Sequence, residues 1–211
     1  AMSGCVETGI HVNLINPRQR VDVYEHVAAK MTGKLGYTLE RDYVKSPVMT
    51  HYYNSVANPR ESFDTAEELG AFYEVLDGLL PAGEAMMKYI NTQWDRTAKY
   101  HEWELPDGHV AHVKTMTRKK GTYTIEGTEI TYLYYVNQGN KDDFRSLAPN
   151  IVHSVDGYIA RQMVLRAPFQ IVHVHDCFLF HPNYYKEVKQ LYREIMSEIA
   201  TKEFTRNLIE S

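Results

Sequence analysis

The sequence predicts a mixed α+β fold in which helices dominate. Three observations support this prediction. Apolar residues recur at helical spacing through the first hundred residues, two turn signals flanked by strand-forming residues follow, and a second helical pattern closes the chain. With 211 residues, 44% of them hydrophobic and 24% charged, the composition is that of a globular protein with one sizeable core or two small ones.

The first half of the chain has the pattern of four helices, bounded by Gly and Pro residues that begin or end them. Pro17 suits the first turn of the first helix, and Asp64 is the expected N-cap of the third. Pro47 should kink the second helix or mark a shifted start. The predicted helix ranges are 17–33, 40–55, 65–79 and about 84–99.

The middle of the chain changes to strand patterns. Pro106-Asp107-Gly108 is a turn signal between two short strands, and Glu126-Gly127 is a turn signal between segments rich in Tyr, Thr and Ile. These four strands are expected over 100–105, 109–115, 122–125 and 128–136. A helix, two short strands and a long final helix are then expected over 149–166, 169–174, 177–180 and from about 182.

Charge and cysteine content exclude several classes of protein. The net charge of −4 argues against binding of nucleic acid through overall positive charge, although positive residues gather near 114–120. Two cysteines, Cys5 and Cys177, exclude a disulfide framework and are typical of a reducing compartment, so a cytoplasmic location is expected. No apolar run approaches the length of a membrane span and no signal-peptide layout is present, so no membrane partner is expected.

Two cations on the predicted helix 40–55 form the first candidate site. Arg41 and Lys45 are four residues apart and share a face without an adjacent carboxylate, an arrangement that suits a polyanion such as a triphosphate. Tyr53 follows two turns later and could meet a sugar or a base. Because such pairs are common, spacing alone favours solvent-exposed cations and a packed tyrosine.

The second candidate site lies at the predicted bend between the two short strands. A rigid carboxylate at Asp176, next to His175, suits Mg²⁺, which takes few protein ligands. A carboxylate that accepts from turn amides fits the spacing at least as well. A zinc site is a further alternative, because His173, His175 and Cys177 alternate along the chain and His153 could supply a fourth ligand.

His153 and Asp156 form a third candidate site near the start of the predicted helix 149–166. They are three residues apart, so their side chains can lie side by side. The alternative is a first-turn carboxylate that the helix dipole favours.

Taken in order, these segments resemble the single-subunit RNA polymerases of bacteriophages and mitochondria. The segment from Lys45 through Val48-Met-Thr50 to Tyr53 is similar to motif B of that family. Ala148-Pro-Asn-Ile-Val-His-Ser-Val-Asp-Gly157 is similar to the stretch that leads back into the palm, and Val174-His-Asp-Cys-Phe178 is similar to motif C. The resemblance covers nearly the whole chain.

The resemblance implies helical fingers with β-hairpins, followed by a palm portion with a two-stranded motif C hairpin and a long C-terminal helix. It implies three parts: a palm remnant over 1–15, fingers with a hairpin insertion over 16–148, and the C-terminal palm over 149–211. The implied activity is DNA-directed RNA synthesis from NTPs, with a DNA template and nascent RNA as partners. For a phage protein the compartment would be the cytoplasm of the bacterial host.

The family's catalytic residues carry over by position. The resemblance implies that Asp176 is one of two aspartates that hold a catalytic Mg²⁺ pair, with His175 beside it. Arg41 and Lys45 would bind the incoming triphosphate. Lys45 and Tyr53 would be catalytic residues, and Tyr53 would close over the nucleotide.

The same resemblance implies roles in ribose selection and nucleic-acid binding. Tyr53 and His153 would select ribose through its 2′-hydroxyl. The hairpin that carries Arg118, Lys119 and Lys120 would occupy the place of the promoter-reading hairpin, and these cations would contact phosphates.

The sequence also departs from the family. The aspartate of motif A is missing, and Ala1-Met-Ser-Gly4 aligns just downstream of its place, so the chain is expected to begin inside the palm. A second polypeptide that carries motif A, or a longer chain of which this is a fragment, is expected to complete the site. Asn54 stands where the family has Gly, and Asn tolerates the left-handed conformation. A related DNA polymerase and a non-catalytic nucleic-acid-binding module are the alternatives.

Overall fold

The computed structural model describes residues 2–15, 20–139 and 144–201, together with Phe204 and Leu208. Within these residues it contains eight α-helices and three two-stranded antiparallel sheets, so the predicted α+β class with dominant helices is confirmed. The helices are α1 (Val6–His11), α2 (Val23–Leu35), α3 (Arg41–Tyr52), α4 (Ala57–Ser62), α5 (Ala66–Leu79), α6 (Pro81–Thr92), α7 (Leu147–Arg166) and α8 (Tyr185–Ile199). The strands are β1 (Tyr100–Glu104), β2 (Val110–Lys114), β3 (Met116–Ile125), β4 (Thr128–Asn137), β5 (Ile171–Val174) and β6 (Cys177–Phe180).

Helices α2, α3 and α5 enclose the first of two hydrophobic cores. Met31, Val44 and Phe72, one from each helix, are fully buried at its centre. Each lies in a row of apolar residues three or four positions apart, which is why the three helices pack along one face. This core ends at Leu80.

The caps of these helices differ in one case from the prediction. Thr65, not Asp64, is the N-cap of α5, and its side chain accepts from the Glu68 N–H while the Glu68 carboxylate accepts from the Thr65 N–H. This capping box satisfies two backbone donors at once, which a single Asp64 cap would not do. At α2, Asp22 is the N-cap and accepts from the Tyr24 N–H.

Several helix boundaries were predicted wrongly, and each has a local cause. Helix α2 runs through Gly33 and ends at Gly36, whose φ of 79° gives the left-handed C-cap. Pro47 does not mark a start, because α3 begins six residues before it and continues to Tyr52. Pro81 begins α6 instead of preceding it, as expected for proline in a first turn. Pro17 lies outside the described residues.

Two six-residue helices, α1 and α4, were not predicted. Each is too short for an apolar periodicity to emerge in the sequence. No helix in the described part of the chain combines the length and apolar character that a bilayer crossing needs.

The second core joins α6, α7 and α8 to two of the hairpins. Ile90, Leu105, Met163 and Ile195 are its fully buried centre. The Arg166 guanidinium donates to both carboxylate oxygens of Glu198, at 2.6 and 2.9 Å, and so ties α7 to α8. The described residues therefore divide into two packed regions whose cores meet between α5 and α6.

The third hairpin, β3–β4, belongs to neither core. Its strands pair in full register from Met116 opposite Asn137 to Ile125 opposite Thr128. Glu126 and Gly127 both have positive φ, 47° and 83°, which is the geometry of a type I′ turn. The predicted turn is confirmed, and the strands are longer than predicted.

Candidate active site

Side chains from three distant segments meet at one place. The Tyr53 ring, at the end of α3, stacks on the His153 ring of α7 with centroids 5.5 Å apart and planes 21° apart. His153 Nδ1 lies 3.9 Å from Asp156 Oδ2 one turn further along α7. Asp156 in turn lies within electrostatic range of Asp176, in the turn between β5 and β6. We call this group of four residues the central cluster.

Tyr53 is held in place by the residue that follows it. Asn54 has a φ of 61°, so the left-handed conformation expected for this asparagine is confirmed. Its buried amide donates to Asn91 Oδ1 at 2.8 Å and to the Arg145 carbonyl at 3.3 Å. These contacts fix the direction in which the chain leaves α3, while about half of the Tyr53 side chain stays exposed.

His153 and Asp156 lie in the middle turns of α7, beyond its first turn. The helix begins at Leu147, two residues before the predicted start, so Asp156 is its tenth residue. The interpretation of Asp156 as a first-turn carboxylate stabilised by the helix dipole is therefore wrong. The predicted side-by-side arrangement with His153 is confirmed.

Burial and a second negative charge raise the pKa of Asp156, whereas the neighbouring His153 lowers it. The negative charge that raises it is Asp176. The charge of Asp176 disfavours ionisation of Asp156, and a cation bound near both carboxylates would relieve this repulsion. Burial, followed by the charges of Asp156 and Asp176, also raises the pKa of Tyr192 on α8.

Asp176 occupies a two-residue turn. Val174 pairs directly with Cys177, so only His175 and Asp176 connect the strands, and His175 has a φ of 54°. The Asp176 carboxylate accepts a 3.6 Å hydrogen bond from the Cys177 thiol. No backbone amide of the described residues donates to it, so the interpretation of Asp176 as a turn-amide acceptor is not supported.

The zinc site is ruled out by strand register. His173 pairs with Phe178, and Cys177 pairs with Val174, so His173 and Cys177 lie on opposite faces of the hairpin. The alternation used in the sequence argument fails because the chain reverses between them. Among the described residues, no group of three or more His, Cys, Asp or Glu side chains is arranged to hold a metal.

Magnesium needs fewer protein ligands than zinc does. It is bound through one or two carboxylates, with water and substrate phosphate as the other ligands. Asp156 and Asp176 are exposed carboxylates near enough for their charges to interact, and their hard oxygen atoms fit this ion.

Arg41 differs from the prediction. Its Nε donates to Asp22 Oδ2 at 2.7 Å and its Nη1 donates to Asp42 Oδ1 at 2.8 Å, and the guanidinium lies 5.3 Å from the Tyr24 ring centroid. The expected absence of a carboxylate partner is therefore wrong, because Asp22 comes from the cap of a different helix. The bond from Arg41 lowers the pKa of Asp22.

Lys45 remains exposed, one turn from Arg41, and forms no ion pair with the described residues. It is the cation of this pair whose charge is not neutralised. Neither cation forms a hydrogen bond or an ion pair with the central cluster in the described part of the chain.

The basic triplet of β3 is exposed and divided between two faces. Arg118 and Lys120 lie on one face, opposite Tyr135 and Leu133, and Lys119 lies on the other. The alternation of a strand imposes this division. The three cations therefore form a ridge with charge on both faces.

Asp156 was predicted to lie beside His153 but without a role, and Tyr192, which lies near the central cluster, was not predicted as a site residue. Asp156 had a detectable signal, its spacing of three from His153, but was assigned no function. Tyr192 had none, because it falls in the apolar stripe of the final helix. No family model matches the chain, and no curated protein matches it either.

Proposed function

We propose that the chain is the fingers and C-terminal palm portion of a DNA-directed RNA polymerase. It would catalyse template-directed transfer of nucleotides from NTPs, with the missing aspartate supplied by a second polypeptide or by a longer chain of which this sequence is a fragment. The observation that carries the proposal is the central cluster, in which the three segments that resemble polymerase motifs come together. Nothing in the local sequence of any one segment requires that meeting.

The residues of the cluster suit distinct tasks. Asp176 and the partner's carboxylate would hold Mg²⁺, which when bound activates the 3′-hydroxyl and stabilises the leaving pyrophosphate. The stacked rings of Tyr53 and His153 offer a flat surface for a sugar or base. Asp156, 3.9 Å from His153, would help to orient the imidazole in that stack, and Lys45 would offer an unpaired charge for a triphosphate.

The β3–β4 hairpin suits a DNA partner. A two-stranded ribbon fits the major groove of B-DNA, and both faces of this one are exposed. Arg118, Lys119 and Lys120 would contact phosphates, and the exposed tyrosines around them would contact sugars or bases.

The test is Mg²⁺-dependent extension of an RNA primer on a DNA template, using the chain together with whatever co-purifies with it. We expect Asp176→Ala to abolish extension, a loss of about a thousandfold or more, because no other side chain of the hairpin turn can hold the ion. Glu126→Gln is the matched control, since it removes a carboxylate from the turn of the other exposed hairpin. Extension that survives in Asp176→Ala, or that fails equally in Glu126→Gln, would contradict the proposal.

A related DNA polymerase is separated from this proposal by sugar selectivity. The Tyr53 hydroxyl and His153 lie together at an exposed edge, where a 2′-hydroxyl could be tested. We expect ribonucleotides to be preferred, and Tyr53→Phe to reduce the ratio of ribonucleotide to deoxyribonucleotide incorporation by about tenfold, the value of one hydrogen bond. An unchanged ratio would contradict this role of Tyr53.

A non-catalytic nucleic-acid-binding module is the second candidate. One observation favours it: Arg41, expected at the triphosphate, is already neutralised by Asp22 and Asp42. This candidate predicts binding of DNA without extension under any condition, including supply of a partner polypeptide.

A further inference from the structure

A cleft of about 870 Å³ separates the N-terminal segment from helix α8. One wall is formed by residues 3–15, and the other by the side of α8 that carries Lys189, Tyr192 and Arg193. We call it the N-terminal cleft. It lies outside the central cluster, but Tyr192 at its edge meets Phe178 of the β5–β6 hairpin, which carries Asp176, edge-to-face at 6.5 Å.

Hydrogen bonds and close packing fix the conformation of the wall that the N-terminal segment forms. Asn13 has a φ of 62°, and its side chain both donates to the Val21 carbonyl and accepts from the Val21 N–H, at 2.7 and 2.6 Å. Ile15 lies so close to Gly9 that an added Cβ there would be 2.7 Å from its side chain. Gly4 also approaches the carbonyl at the end of α8, since a Cβ would lie 3.1 Å from the Ala200 oxygen.

The charged side chains that line the cleft are all positive. Arg20, Lys189 and Arg193 line it, and no carboxylate does. None of the three forms an ion pair within the described residues, although the chain as a whole carries a net charge of −4. An occupant with negative charges would therefore complement the cleft.

The surface around these charges is apolar. Five aliphatic residues of the N-terminal segment are between 39% and 63% exposed. They are Val6, Ile10, Val12, Leu14 and Ile15, of which Val12, Leu14 and Ile15 line the cleft. Such a concentration of exposed aliphatic side chains within ten residues marks a protein-binding surface, and Tyr192 is the one aromatic side chain among the described residues that line the cleft.

We propose that the N-terminal cleft is the docking site of the second polypeptide, and that it takes an apolar segment flanked by acidic residues. The identity of the occupant rests on the proposed function, in which a second carboxylate must reach Asp176. The outward face of the β5–β6 hairpin supports the same conclusion. Val172, Val174, Cys177 and Leu179 all lie on that face and are exposed.

The test places a photo-crosslinking amino acid at Leu14 in the full chain, produced in the cells from which the sequence comes. Position Tyr89, half exposed on α6 and outside the cleft, is the control. We expect Leu14, and not Tyr89, to crosslink to one other polypeptide, and the attached peptide to be apolar with acidic residues. Lys189→Glu/Arg193→Glu should lower the yield about tenfold. Lys186→Glu, on the same helix outside the cleft, should not.

Four outcomes overturn the proposal: no crosslink from Leu14, a crosslink to nucleic acid, a crosslink to a second copy of this chain, or a yield that charge reversal does not change. Equal thermal unfolding of the two charge variants excludes misfolding as the cause of a lower yield. Primer extension by the same samples separates this proposal from the function. A complex that docks without extending a primer counts against the polymerase, and extension without the Leu14 crosslink counts against the docking site alone.

Discussion

The two exposed hairpins, β3–β4 and β5–β6, are both antiparallel pairs, but only β5–β6 packs against a hydrophobic core. In β5–β6, Ile171, Phe178 and Phe180 pack against the second core, and the turn therefore holds Asp176 at a fixed place. In β3–β4, no residue belongs to either core, and most residues on both faces of the two ten-residue strands are exposed. One hairpin is positioned by the protein, whereas the other has no surface of the described chain to pack against.

This difference connects structure to function. A carboxylate that holds a metal must be rigid, and packing on one face of β5–β6 provides that rigidity. An isolated two-stranded ribbon is at best marginally stable in water, so β3–β4 is expected to gain order from a partner such as DNA. The hairpin β1–β2 is also held by the second core, through Trp103, and its turn is tied to α7 by the bond between Asp107 and Arg161 at 2.7 Å.

The largest expected effect on stability is the difference between substitutions on the packed face and on the outer face of β5–β6. Phe178→Ala removes a ring that packs on the second core, and we expect a loss of about 2 kcal/mol in the free energy of unfolding. Leu179→Ala on the outer face of the same hairpin, and Tyr134→Ala in β4, should each cost less than about 0.5 kcal/mol. Urea unfolding measures all three. A cost for Tyr134→Ala as large as that for Phe178→Ala would show that β3–β4 is supported after all.

A smaller effect is expected in DNA binding by β3–β4. Arg118 and Lys120 share one face of the ribbon, so replacing both with Gln should remove two phosphate contacts together. We expect the slope of the logarithm of the binding constant against the logarithm of salt concentration to fall by about 2, with the stability of the chain unchanged. Binding measured between about 50 and 200 mM salt provides the test. Lys34→Gln on α2 is the control, and an equal change in that variant would remove the ribbon from the interface.

The smallest effect concerns the tether of β1–β2. The bond from Arg161 lowers the pKa of Asp107, so the ionised form stabilises the folded chain at neutral pH. This contribution, about 1 kcal/mol, should be full above the unfolded pKa near 4 and should be lost as pH falls through the lower folded value. Asp107→Asn should therefore be less stable than the natural chain at pH 7 and equally stable near pH 2. Denaturant unfolding at a series of pH values checks it, and a difference that persists unchanged at pH 2 would contradict the ionic origin.

The sequence was sufficient for most of the fold and for the local geometry of the site. Long apolar periodicities predicted the main helices, and turn residues such as Glu126-Gly127 predicted the hairpins, because both depend on neighbours in the chain. It was insufficient for Arg41, whose partner Asp22 is nineteen residues away on another helix. The sequence also failed to exclude the zinc alternative. The two-residue turn at His175 and Asp176 places Cys177 on the face of the hairpin opposite to His173. A contact between distant segments decides the first case, and the strand pairing across a local turn decides the second.

The most direct test of the central cluster replaces Mg²⁺ with Fe²⁺ and uses the hydroxyl radicals it releases to cut the nearby backbone. We predict cuts at residues 175–177, with weaker cuts near 153–156 and near Tyr53, and none at the β3–β4 turn around 126–127. Asp176→Asn should suppress all of these cuts together, because one ion would produce them. Cuts that persist in that variant, or that fall elsewhere in the chain, would contradict a metal site formed by these three segments.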